Sequence, residues 1–248
     1  MFVIAHRGAN RYAPQNTIEA FKKALEQNAD GVETDVHMTK DGHIVLCHNS
    51  TIKATSDGKG KIKEKYLAEL FSYDFGSWFG SVYANTNIPT IDEFLQTMKE
   101  KDAGIIDIEV KPNAYNSREI VSRIIKLAQG YGLTQKLLIS SFDIEILKTV
   151  KQINPCITTG YLYPKIGEIV RRWFSSPWLR AVRYGVDYLL PEQAYVNKEF
   201  VRGAHAHGLK VAPWTVNKIE TINNYKNWGV DGIITDYPEI MKNKISVL

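Results

Sequence analysis

The chain has 248 residues, 44% hydrophobic and 23% charged, with 31 Lys and Arg against 27 Asp and Glu for a net charge of +4. That is the make-up of a globular protein with a sizeable core. The positive excess is too small and scattered for a nucleic-acid binder, and no apolar stretch nears the roughly 20 residues that cross a bilayer. A mild positive balance suits an anionic small molecule. Cys47 and Cys156, far apart in apolar surroundings, read as buried free thiols of a reducing compartment. The chain opens without a basic, apolar leader, so a cytoplasmic location is expected.

Short β-rich runs alternate with helical patterns from end to end, which predicts parallel strands joined by crossover helices. Strands are predicted near residues 2–6, 31–36, 104–110, 136–141, 158–163, 186–190, 210–215 and 232–236. Eight such strands close a (β/α)8 TIM barrel, read here as a single domain over residues 1–248. Between the first two strands, Ile18, Phe21, Ala24 and Leu25 share one face at a 3.6-residue period, with Asn16 or Thr17 as cap and Glu19 in the first turn. A second such helix runs from Ser117 to Gln129 and is expected to stop at Gly130.

The alternation breaks twice. After Val36, the turn Thr39-Lys40-Asp41-Gly42 leads into an alternating run at 43–48, which predicts a β-hairpin. If Thr39 faces His43, then His48 returns to the level of Thr34, between Glu33 and Asp35. Residues from 49 to about 90 carry little strand periodicity. They are expected to form a small insertion on the barrel's catalytic rim.

Chemistry-bearing residues cluster at strand ends. His6-Arg7-Gly8 joins a proton-transferring side chain, a fixed cation and a turn residue where the first apolar run ends. On the second strand, Glu33 and Asp35 face the same side, and two adjacent carboxylates repel unless a cation joins them. Glu109 and Lys111 repeat that parity on the third barrel strand. Hard divalent ions such as Ca²⁺ or Mg²⁺ prefer such oxygen donors. His6 and His48 are therefore candidates for acid and base, Glu33, Asp35 and Glu109 for a cation site, and Arg7 and Lys111 for the charge on a phosphate. His37 is expected further out, and His205 and His207 are expected to be solvated.

Ala5-His6-Arg7-Gly8, the stretch from Ala13 to Thr17, Gly31-Val32-Glu33-Thr34-Asp35-Val36, Thr39-Lys40-Asp41-Gly42 and Cys47-His48-Asn49 resemble the signature of the glycerophosphodiester phosphodiesterases. Ile108-Glu109-Val110-Lys111, Ser140-Ser141-Phe142, Trp214-Thr215-Val216-Asn217 and the run from Gly229 to Asp236 extend the likeness over essentially the whole chain. The resemblance implies a phospholipase-C-like TIM barrel with an insertion after the second strand, and hydrolysis of glycerophosphodiesters to an alcohol and sn-glycerol 3-phosphate. It also implies His6 and His48 as acid and base, one cation on Glu33, Asp35 and Glu109, and a substrate-contacting Trp214. Attack by water and attack by the glycerol 2-hydroxyl remain equally open.

Two positions depart from the pattern: Gln15 stands where the family has Glu, and Asn49 where it has Asp. Both swaps remove negative charge, so His6 is expected in a less negative pocket than in its relatives, with a changed pH optimum or metal preference. A separate stretch joins Arg171, Arg172, Trp173, Phe174, Trp178 and Arg180, with Arg183 just beyond. It reads either as a barrel helix packing its aromatics inward or as a weak membrane-surface patch that admits lysophospholipids. A lysophospholipase D-like activity and a non-catalytic phosphodiester binder are the alternative functions.

Overall fold

The computed structural model describes residues 1–112, 116–163 and 177–247. Strand β1 (Phe2–Ala5) leads into helix α1 (Ile18–Glu26). β2 (Gly31–Met38) then pairs antiparallel with β3 (Ile44–Leu46). The insertion that follows holds short 3-10 turns and α2 (Leu67–Leu70) before α3 (Ile91–Glu100) returns the chain to the barrel. From there β4 (Ile105–Val110), α4 (Ser117–Tyr131), β5 (Leu137–Ser141), α5 (Ile144–Ile153) and β6 (Thr158–Tyr163) alternate. They are followed by α6 (Pro177–Arg183), β7 (Tyr188–Pro191), α7 (Lys198–Ala206), β8 (Lys210–Val211), α8 (Thr221–Trp228), β9 (Gly232–Thr235) and α9 (Pro238–Ser246).

Apart from β3 the strands are parallel, in the order β8-β7-β6-β5-β4-β2-β1-β9. The ring closes between β8 and β9 without a regular ladder. Asp231 N donates to Val211 O at 3.0 Å, Ile234 N to Pro213 O at 2.9 Å and Val216 N to Ile234 O at 2.9 Å. The expected strand at 210–215 is thus cut to two residues, because Pro213 has no N–H to continue it. The architecture is a TIM barrel.

Strand parity sorts the side chains. Ile4, Leu138, Leu162, Leu190, Ala212 and Ile234 fill the barrel interior, while their neighbours Val3, Ile139, Leu189, Val211 and Ile233 face the helices. The barrel floor is tight. A Cβ on Gly232 would lie 2.0 Å from the Phe2 ring, which itself meets Tyr188 edge-on at 6.0 Å. Gly232→Ala is expected to destabilise the fold by about 1–3 kcal/mol, read as a lower urea midpoint at an unchanged slope.

Helix boundaries follow local chemistry. Thr17, not Asn16, caps α1 by accepting from Ala20 N. Thr90 and Glu93 form a reciprocal capping box on α3. Helix α4 runs past Gly130 and stops at Gly132, whose φ of +74° provides the left-handed cap. The insertion has a small core of its own, Ile52, Ile62, Leu70, Phe75 and Ile88, which shares Val45 and Cys47 with the hairpin. The Tyr83 hydroxyl fastens it to the loop after β1 by donating to Tyr12 O at 2.7 Å. Both cysteines are free. Cys47 is buried as expected, but Cys156 is exposed, because it follows Pro155 in the loop after α5 rather than lying on a core strand.

No helix among the described residues is long and apolar enough to cross a membrane.

Candidate active site

The inward parity of β2 and β4 sets the site. Gly31, Glu33 and Asp35 on one strand stand in register with Ile105, Asp107 and Glu109 on the next. Above the apolar interior layer, two strands therefore present two carboxylates each. Oxygens of Glu33, Asp35 and Glu109 lie within 4.8 Å of one another, and all three residues are buried. Asp107, not among the candidates from the sequence, has the same spacing to Glu109 as Glu33 has to Asp35.

Two cations oppose these four carboxylates. Lys111 contacts Asp35 and sits 2.9 Å from Glu109 Oε1. Arg7 places its Nε 3.5 Å from Asp35 Oδ2. Its backbone has φ +57°, a left-handed conformation that aims Arg7 N–H at Glu33 Oε2, 2.8 Å away. Asn16, also left-handed at φ +58°, accepts from Thr34 Oγ1 at 2.8 Å and donates to Asp35 Oδ2 at 3.0 Å. It fixes the Asp35 carboxylate instead of capping α1.

The electrostatics follow from this arrangement. Burial, with Asp35 and Asp107 adding repulsion, raises Glu33 well above the ordinary range. Burial likewise pushes Glu109 up to about 7 and Asp107 to about 8, the latter against the 2.6 Å hydrogen bond from Ser140 Oγ. Asp35 is pulled upward by burial, but Lys111 and Arg7 outweigh that and hold it well below its usual value. Such a cluster has more buried negative charge than its cations neutralise, and its donors are all carboxylate oxygens. Glu33, Asp35 and Glu109 fit a hard divalent cation.

The hairpin register is the one expected. Thr39 N donates to His43 O at 2.8 Å, Val36 faces Leu46, and Cys47 N donates to Asp35 O at 3.0 Å. His48 thus reaches the carboxylate level. Its Nδ1 donates to Asn49 Oδ1 at 2.9 Å, and among the described residues none hydrogen-bonds Nε2. Burial lowers His48 to about 4 against the opposing pull of Asp35, and the positive charges of Lys111 and Arg7 add to the lowering. The ring is neutral at pH 7.

His6 is held by a partner that sequence reasoning did not single out. Its Nδ1 lies 2.7 Å from Asp236 Oδ1, and the same carboxylate accepts from Asn10 Nδ2 at 2.6 Å and Asn217 Nδ2 at 2.7 Å. Hydrogen bonds and charge from His6, Asn10 and Asn217 overcome burial and keep Asp236 well below the usual carboxylate range. Neither departure from the family pattern lies against His6. Gln15 accepts from Arg7 Nη1 at 2.7 Å and Asn49 faces His48, so neither amide touches His6, which has a carboxylate beside it.

His6, Arg7, Glu33, His48, Asp107, Glu109 and Lys111 line one cavity of about 140 Å³, walled on its apolar side by Phe142, Leu162, Trp214 and Ile234. Trp214 is fixed there by donating Nε1–H to Leu190 O at 2.8 Å and by an edge contact with Phe142 at 5.6 Å. His37 stands behind His48, its Nε2 3.3 Å from the His48 carbonyl. His205 pairs with Asp231 at 3.0 Å, and His207 bonds Gly203 O at 2.7 Å, both away from this cavity. Of the Arg/Trp stretch, residues 171–176 lie outside the described residues. Trp178 packs against Phe200 and stacks on His207, as expected of an inward-facing barrel helix.

The family model for the glycerophosphoryl diester phosphodiesterase family matches residues 6–240. A glycerophosphodiester phosphodiesterase of Caldanaerobacter subterraneus subsp. tengcongensis is 38% identical over 243 residues, covering 98% of this chain and 97% of that protein. The chain belongs to the glycerophosphoryl diester phosphodiesterase family. Solved structures agree. An Oleispira antarctica phosphodiesterase in complex with the product sn-glycerol-3-phosphate superposes with a TM-score of 0.90 at 30% identity, covering 99% of this chain and 97% of that one. The Thermotoga maritima glycerophosphodiester phosphodiesterase gives 0.78 at 26% identity, with coverage of 98% and 97%.

Proposed function

We propose that this protein hydrolyses glycerophosphodiesters to an alcohol and sn-glycerol 3-phosphate, with His6 and His48 as the acid–base pair. The observation that carries the reading is the small cavity in which two imidazoles, each held through Nδ1, meet Glu33, Glu109, Arg7 and Lys111, with Asp35 clustered against the same two carboxylates. The product named for the Oleispira antarctica relative supports the same assignment.

Glu33, Asp35 and Glu109 would hold one divalent cation, Ca²⁺ or Mg²⁺. When bound it supplies charge neutralisation and polarisation of the phosphate oxygens. Arg7 and Lys111 draw the phosphate in and share the charge on its non-bridging oxygens. The glycerol carbons fit against Trp214 and Phe142. One imidazole takes the proton of the attacking oxygen, either water, which gives glycerol 3-phosphate directly, or the glycerol 2-hydroxyl, which gives a cyclic phosphate that water then opens to glycerol 3-phosphate. The other gives a proton to the alcohol oxygen as its bond to phosphorus breaks. Asp236 fixes the His6 tautomer and stabilises the ring when Nε2 gains a proton, while Asn49 orients His48 without adding charge.

The deciding experiment offers glycerophosphocholine and lysophosphatidylcholine side by side. Release of glycerol 3-phosphate and choline from the first supports the reading. Turnover of lysophosphatidylcholine alone makes the protein a lysophospholipase D-like enzyme, and binding without turnover of either makes it a non-catalytic relative.

Because Asn49 faces His48 and Gln15 faces Arg7, the two amides are expected to act unequally. Asn49→Asp places a negative charge beside the His48 ring, favours imidazolium, and moves the His48-governed limb of the kcat/KM profile to higher pH. Gln15→Glu is expected to move it less. A pH–rate profile unmoved by Asn49→Asp would remove His48 from the acid–base pair.

A further inference from the structure

A second, larger cavity of about 590 Å³ adjoins the catalytic one, with Lys111 lining both. It lies on the His48 side: His37, in its wall, touches the His48 carbonyl, and Ser50 lines it two residues beyond His48. Its size is that of a small-molecule pocket. Its walls come from the hairpin turn, the insertion and the start of α4, and among the described residues they carry four lysines, Lys40, Lys61, Lys63 and Lys111, against one glutamate, Glu119.

The charge there is only partly answered. Lys111 is held by Asp35 and by Glu109 at 2.9 Å, Glu119 is engaged by Arg123 at 3.7 Å, Lys61 by Glu64 at 3.3 Å, and Lys40 lies over the Tyr66 ring at 4.7 Å. Among the described residues Lys63 makes no ion pair. A concave surface lined by like charges focuses its field and concentrates counter-ions. Lys61 and Lys63 come from the insertion, two apart around a 3-10 turn whose Ile62 is buried in the insertion's own core, so the scaffold beneath them is fixed.

We propose that this lysine-lined cavity is a second anionic subsite, which receives the alcohol portion of a glycerophosphodiester when that alcohol carries a further phosphate. The inference rests on the phosphodiesterase reading above and names its substrate class. The phosphate to be cleaved sits between the imidazoles, and the alcohol extends past Lys111 into the second cavity, where its own phosphate meets Lys61 and Lys63. An alcohol bearing a cation, such as choline, finds no complementary charge there.

The test compares initial rates on 1,3-bis(glycerophospho)glycerol and on glycerophosphocholine for the unaltered protein and for Lys61→Ala/Lys63→Ala. These exposed lysines lie outside the catalytic cavity, so the variant keeps its fold and its rate on glycerophosphocholine. The expected result is a preference of the unaltered protein for the bis-phosphate substrate, lost about five- to tenfold in kcat/KM in the variant. The same preference is expected to shrink as salt is raised, since exposed charges are screened. Equal losses on both substrates, or no loss on either, overturn the subsite while leaving the phosphodiesterase reading in place. Turnover of neither substrate by the unaltered protein overturns that reading and the subsite together.

Discussion

His6→Asn and His48→Asn are each expected to lower kcat on glycerophosphocholine by about 10²- to 10⁴-fold, the usual contribution of a positioned general acid or base. Their effects on KM should be small, because the phosphate is drawn in by Arg7 and Lys111. The double variant should lose little more than the worse single one, since the two rings serve one proton-transfer sequence. Thermal unfolding separates this from a folding defect. Both imidazoles are part-exposed at the rim and hydrogen-bond at Nδ1, so the variants should melt near the parent. A variant that retains parental kcat would exclude that histidine from the chemistry.

The second large effect concerns the carboxylate cluster. Glu109→Gln and chelation with EDTA are both expected to abolish measurable turnover, and only the chelated parent should recover when Ca²⁺ or Mg²⁺ is restored. A cation at a hundredfold its Kd stabilises the fold by about 2.7 kcal/mol, so its binding is also visible as a raised Tm. That increment should grow with pH. Folded-state values for Glu33, Asp107 and Glu109 are raised, to about 8 for Asp107 and about 7 for Glu109. Stability from groups raised in this way is complete below their unfolded values near 4 and is lost as pH climbs through 7 and 8. The cation-free protein should therefore weaken between pH 6.5 and 8, where the depressed His48 and Asp35 no longer titrate, while a cation that replaces those protons gains. A Tm increment that is flat over that range would argue against these carboxylates as the binding site.

Much of this was legible in the sequence because it depends on periods. Alternation by two puts Glu33 with Asp35 and Glu109 with Lys111, and the turn at Thr39 to Gly42 sets the register that brings His48 back to them. What was not legible lies in contacts between segments far apart in the chain. Asp236 meets His6 where β9 closes against β1; the expected barrel implies that pairing, but not which side chain just past β9 reaches His6. Asn16 could serve as a cap by its position; its left-handed backbone, which turns it toward Asp35, is visible only in three dimensions. Asp107 is legible by the same period of two, one step before Glu109 on β4. The stop of α4 at Gly132 rather than Gly130 was a choice between two glycines that composition alone does not make. Gln15 and Asn49 show the same division: the sequence reveals two missing charges, and the fold assigns one to Arg7 and the other to His48.

Phosphorus NMR of glycerophosphocholine incubated with the unaltered protein tests the whole arrangement at once. With Ca²⁺ or Mg²⁺ present, the diester resonance should give way to that of glycerol 3-phosphate, halt on addition of EDTA and resume when the cation is restored. A diester resonance that persists with either cation, or turnover that EDTA leaves untouched, would contradict a two-histidine, cation-assisted phosphodiesterase.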